Sequence, residues 1–144
     1  MRVPAANLRE TAAPPPGELI IGRYDEGADY LVRRSSGAHS WLLLWTEAGA
    51  GDVRQGGVDV RVGPGDLAVL APRVHQTYRT AFGPQDQHWE FWWVHFQPRP
   101  AWQDWLRPFD LGDGCTMMRG VNAAVHPGIT AALRQAHADT RWTA

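Results

Sequence analysis

His88-Trp89-Glu90-Phe91-Trp92-Trp93-Val94-His95-Phe96-Gln97-Pro98-Arg99-Pro100-Ala101-Trp102-Gln103-Asp104-Trp105-Leu106 carries five of the eight tryptophans in a chain of 144 residues. Its first half alternates. Trp89, Phe91, Trp93 and His95 fall on one face of a strand; Glu90, Trp92, Val94 and Phe96 fall on the other. Both faces are mostly apolar, so the strand is expected to be covered on both sides. Pro98 has no N–H to give and ends the ladder. Pro100 suits the first turn of a helix. Trp102, Trp105 and Leu106 then share one helical face by i, i+3, i+4 spacing, and Pro108 stops the helix. The expectation is an aromatic strand followed by a short helix that folds back and caps the core.

Upstream of this stretch the text is rich in short strands. Leu19-Ile20-Ile21 is apolar, and residues 24–27 read as a turn. A strand over residues 30–34 ends in Arg33-Arg34 and is closed by Ser35-Ser36-Gly37. Residues 41–46 form a continuous apolar run of strand length. Asp52-Val53-Arg54-Gln55 leads through Gly56-Gly57, which tolerate positive φ, into Val58-Asp59-Val60-Arg61-Val62. There the alternation sets the three valines inward and Asp59 and Arg61 outward. Gly63-Pro64-Gly65-Asp66 is a tight turn. Residues 67–70 and 75–79 supply two more strands. Residues 1–17, with Pro14-Pro15-Pro16, read as an extended arm. Residues 110–126 read as irregular. A second helix is expected over residues 127–140, with Ile129, Ala132, Leu133 and Ala136 on its apolar face. Many short strands with helices only afterwards point to a mainly β domain, an antiparallel sandwich or small barrel followed by C-terminal helices.

The composition is that of one globular domain. A net charge of −1 gives no footing for nucleic acid on this piece alone, and all 14 basic residues are arginine. The one cysteine, Cys115, excludes an internal disulfide and fits a reducing, cytoplasmic setting. No stretch is apolar and long enough for a membrane span.

Several chemistries can be weighed against the residues. A metal site would draw on His75, His88, Glu90 and His95, but no His-x-His exists and His95 lies on a tryptophan face. No metal and no cofactor are therefore expected. No nucleophile elbow, phosphate loop or readable carboxylate pair is present, and no catalytic residue is assigned. A small-molecule pocket is better supported. Phe91 and Trp93 share a face on which a ring could stack. Arg34 could donate hydrogen bonds to ligand oxygens, and Tyr78 could add a hydroxyl. The same aromatic residues could equally fill a core, and the residues alone leave both outcomes open.

Pro64-Gly65-Asp66, Leu70-Ala71-Pro72 with His75, Trp93-Val94-His95-Phe96-Gln97-Pro98-Arg99 and Trp102-Gln103-Asp104-Trp105-Leu106 together resemble the N-terminal effector-binding and dimerisation domain of AraC-type arabinose regulators. The order and spacing hold over residues 30–109. The resemblance implies a cupin-like barrel of jelly-roll type without a metal, an arm that folds over bound effector, and a helical segment used for dimerisation. It implies that Arg34 contacts a sugar, that Tyr78 lines the pocket with Thr77 as its competitor, and that Trp93 stacks on the sugar. Phe91 stands where the arabinose regulator has a histidine. This points to a neutral, hydroxyl-rich effector other than arabinose.

The expected organisation is thus an arm (1–17), an effector-binding barrel (18–109) and a helical segment opening the dimerisation region (110–144). The partners implied are a small-molecule effector, a second copy of the chain, and DNA only through a helix-turn-helix domain beyond residue 144. A truncated transcription regulator is the leading expectation. A metal-dependent cupin enzyme acting on a sugar, or a dimerisation module with a filled barrel, are the alternatives.

Overall fold

The computed structural model describes residues 9–14, 19–83 and 87–141. The expected arm therefore falls partly outside the described residues, at 1–8 and 15–17. Among the described residues ten strands form two antiparallel sheets. β1 (Ile20–Glu26), β8 (Trp89–Phe96), β3 (Trp41–Gly49), β6 (Leu67–Leu70), β10 (Cys115–Met118) and β9 (Asp110–Gly112) make the larger sheet, in that order. β2 (Leu31–Arg34), β7 (Gln76–Thr80), β4 (Gly51–Gln55) and β5 (Val58–Val62) make the smaller one. Two helices follow, α1 (Pro100–Leu106) and α2 (His126–Arg141). This is the expected mainly β architecture of barrel type with C-terminal helices. Among the described residues no helix is long and apolar enough to cross a membrane.

β8 sits between β1 and β3, and its alternation is used on both faces. Trp89 and Phe91 point between the sheets, into a core with Leu42, Leu44, Val53 and Leu70. Trp92 and Val94 point outward, where Ile21 and Trp45 join them and Ile129, Leu133 and Ala136 of α2 close over them. Buried indole N–H groups need acceptors. Trp89 Nε1 donates to Thr46 Oγ1 at 2.9 Å, and Trp92 Nε1 donates to Glu47 Oε1 at 3.1 Å. The β4–β5 hairpin turns on Gly56 at φ +56°. Val62 is buried, Val58 and Val60 are partly buried, and Asp59 and Arg61 are exposed, which is the expected register.

Four local expectations change. Residues 24–26 belong to β1 and not to a turn, because β8 offers partners along its whole length, from Ile20↔His95 to Glu26↔Trp89. The sheet does not stop at residue 109. β10 pairs with β6 from Cys115↔Leu70 to Met118↔Leu67, and Cys115, Thr116 and Met117 are buried there. Burial pushes the Cys115 thiol up to about 11, with the Asp110 carboxylate adding to the effect. Helix α1 buries none of its residues. Trp105 is 67% exposed, and Trp102 only leans toward Phe96, with ring centroids 6.4 Å apart. Instead of capping the core, α1 borders an open apolar groove of about 390 Å³ with Leu43, Val69 and α2. On α2, Ala132 is exposed while Ile129, Leu133 and Ala136 face the sheet.

Candidate functional site

The smaller sheet and the β1–β8 edge enclose a cavity of about 320 Å³ at one end of the barrel. Its wall is aromatic. Tyr24 from β1, Tyr30 ahead of β2, Tyr78 from β7 and Trp93 from β8 all line it. The chain has three tyrosines, and all three are here. Each brings an apolar ring and a hydroxyl to the same space. Trp93 and Tyr24 lie 5.4 Å apart between ring centroids, and Tyr30 and Tyr78 lie 6.4 Å apart.

Trp93 can occupy this position because its partner across the strands is Gly22. A Cβ at Gly22 would stand 2.1 Å from Trp93 Cζ2, well inside van der Waals contact. Unlike its neighbours on β8, the Trp93 indole N–H is buried without an acceptor among the described residues.

Arg34 is the charged member, 7% exposed. β2 pairs with β7 so that Arg34 stands opposite Gln76. Its Nη1 donates to Gln76 Oε1 at 2.9 Å and to Tyr78 Oη at 3.0 Å. Gln76 is held in turn by Gln55, whose Nε2 donates to the Ala71 carbonyl. A string of buried amides thus orients the guanidinium from below. Its Nε has no hydrogen-bond partner among the described residues.

His95 completes the floor, 3% exposed. Its Nδ1 lies 2.9 Å from Ser40 Oγ. Burial first, and the positive charge of Arg34 second, push its pKa down to about 4. It is therefore neutral near pH 7. Burial also raises the phenols of Tyr30 and Tyr78, the charge of Arg34 acting against that rise.

Residues 9–14 form a roof. Thr11 N donates to the Arg33 carbonyl at 2.7 Å, and Arg33 N donates back to Thr11 Oγ1 at 3.1 Å. Glu10 accepts from Ser35 N and from Arg33 Nη1, both at 2.9 Å. Hydrogen bonding from Ser35 and the charge of Arg33 hold its carboxyl below the usual range. Arg34 Nη2 donates to the Ala12 carbonyl at 3.2 Å, and Thr11, Ala12 and Pro14 face the cavity. Arg34 therefore touches wall, floor and roof.

Of the four residues expected to bind ligand, Arg34, Tyr78 and Trp93 meet in this cavity. Phe91 does not line it. It lies deeper, 0% exposed and stacked on Trp89 with centroids 3.9 Å apart. Tyr24 and Tyr30 carry no such expectation from the sequence, and for the arm the resemblance implies a fold over the effector without assigning any of its residues to the site. His95 shares the strand face of Trp93, the one signal for it in the sequence, but that face also carries Trp89 and Phe91, which do not line the cavity. Among the described residues, no three His, Cys, Asp or Glu side chains are grouped to hold a metal ion.

The model of the AraC-like ligand binding domain matches residues 20–141. The arabinose operon regulatory proteins of Salmonella typhimurium and Escherichia coli are each 32% identical over 79 residues. That stretch is 54% of this chain but only 27% and 26% of those proteins. Among solved structures, ToxT from Vibrio cholerae O395 superposes with a TM-score of 0.56 at 7% identity, over 81% of this chain and 45% of ToxT. ToxT with an unsaturated fatty acid bound superposes with a TM-score of 0.54 at 8% identity, over 81% of this chain and 46% of that one. At such identities the likeness is one of fold. The match over residues 20–141 settles the relationship: the chain belongs to the AraC-like ligand-binding domain family.

Proposed function

We propose that this domain senses a small, hydroxyl-rich molecule of sugar type for a transcription regulator, and that the molecule binds in the cavity beneath residues 9–14. The observation that carries this is the convergence of Arg34, Trp93 and all three tyrosines on one space of about 320 Å³. That is the lower end of the usual volume range for small-molecule sites, suited to a single ring. An aromatic wall supplies apolar area for a ring face, and hydroxyls and a guanidinium fix its orientation. The curated relatives are regulators of an arabinose operon, and a ligand of sugar type is the class that likeness favours here. A cavity beside Trp93 speaks against a filled barrel serving only as a dimerisation module. A metal-dependent enzyme would need a donor set, and none is grouped among the described residues. Within the regulator the domain acts as part of a homodimer and reaches DNA through a separate domain.

The test is tryptophan fluorescence titrated with a panel of sugars and sugar acids, repeated with Trp93→Ala and Arg34→Ala. Either substitution is expected to weaken binding at least about tenfold, roughly 1.4 kcal/mol. A ligand that binds both variants as well as the parent would place the site elsewhere.

A further inference from the structure

We propose that the effector is an acid, a six-carbon uronate or aldonate, whose carboxylate sits against Arg34. The inference rests on the sensing function above and names its ligand class. Six other arginines have a carboxylate within 4.0 Å, and they stand at the surface or partly exposed. Arg34 is the buried one, and among the described residues it has no carboxylate partner. Its acceptors are an amide, a phenol and a backbone carbonyl, all neutral.

A guanidinium does not give up its proton, so the charge cannot be relieved by titration. A buried charge without a counter-charge is costly even when hydrogen-bonded. Among the described residues no Asp or Glu lines the cavity. Two donors there, Arg34 Nε and Trp93 Nε1, have no acceptor among the described residues. A carboxylate is acceptor-only and brings both missing things, the negative charge and the lone pairs. A neutral sugar brings the lone pairs but leaves the charge uncompensated. The surroundings fit a positive cavity: His95 is kept neutral partly by the charge of Arg34. The rest of the ligand is set by the walls. Tyr24, Tyr30 and Trp93 leave room for one hydroxylated ring or a chain of that size.

The experiment is calorimetric titration of the 144-residue protein with matched pairs at about pH 7, where carboxylates are ionised. The pairs are D-galacturonate with D-galactose, D-glucuronate with D-glucose, and D-gluconate with D-glucitol. In at least one pair the acid should bind tenfold or more tighter than its neutral mate. Arg34→Gln should bring that ratio close to one while the neutral mate still binds. Arg34→Lys, which keeps the charge and changes the shape, should preserve the preference for the acid. If the neutral member binds as tightly as the acid in every pair that binds, the acid inference is wrong and sugar sensing stands. An Arg34→Gln protein that keeps the preference would likewise refute it. If no member of any pair binds at millimolar concentration, both the inference and the sensing function fall.

Discussion

Gly22 shows how one missing side chain shapes the cavity. The Trp93 indole lies where a Cβ would be, so Gly22→Val must push the ring aside or bend β1. Overpacking of this kind costs about 1–3 kcal/mol. The expected outcome is a folded protein by circular dichroism, with a shifted Trp93 emission and at least tenfold weaker effector binding. His95 makes a different prediction. Its pKa is about 4 in the fold, against 6.5 as the ordinary value. Below the ordinary value the unfolded chain takes up a proton that the folded one refuses. Stability is therefore full above about pH 6.5 and falls as the pH drops toward about 4, by up to about 3 kcal/mol. Urea unfolding across this range should show the loss, and His95→Gln should flatten it. A slope unchanged by the substitution would assign the titration to other groups. Alternation placed Trp93, His95 and Phe91 on one face, and that was legible. It could not say how deep each lies, so Phe91 was given to the cavity when it belongs to the packed middle of the barrel. Tyr24 is hidden because its segment reads as a turn in the sequence, although it belongs to β1.

Elements were legible where the pattern was long and obscure where partners supply the order. β8 and the β4–β5 hairpin follow from alternation and from Gly56-Gly57. β9 and β10 do not. They have three and four residues, and the second is covered on both faces, so no period shows. The hairpin joining them, Gly112-Asp113-Gly114, has φ values of +106°, +51° and +73° and looks like plain loop in the sequence. Helix α1 is the converse case. Its i, i+3, i+4 spacing correctly gives one aromatic face, yet spacing cannot say whether that face finds a surface. Trp105 remains exposed. Trp105→Ser should therefore change stability by no more than about 0.5 kcal/mol. Trp89→Ala, which empties the barrel centre and strands Thr46, should cost about 3–5 kcal/mol. Chemical denaturation of the two variants separates them. A large loss for Trp105 would mean that the apolar groove beside it is filled in solution.

Across the whole molecule, strand order is the least legible feature. The larger sheet runs β1-β8-β3-β6-β10-β9, so all neighbours in space but β10 and β9 are far apart in sequence, and local propensity carries no information about their pairing. The order matters because it makes one sheet serve two compartments. Its inner face closes the barrel that holds the cavity, and its outer face carries α2. β8 passes Trp93 to one side and Trp92 and Val94 to the other, so a shift of that strand is felt on both. The roof is joined to this body at β2 and the residue after it: Glu10 and Thr11 bind Arg33 and Ser35, and Ala12 binds Arg34.

The buried thiol of Cys115 has a practical bearing on that roof. The chain has one cysteine, fully covered and with its proton held to about pH 11, so the nucleophilic thiolate is scarce and out of reach near neutrality. An alkylating dye should leave the native protein unmarked. Ala12 is an exposed residue at the cavity rim, and its carbonyl, which a substitution leaves in place, does the binding. Ala12→Cys would then accept a single fluorophore per molecule without a cysteine-free background having to be made first. Quenching of that dye by the indoles around the cavity would report, in real time, whether the roof lifts when a ligand enters or leaves.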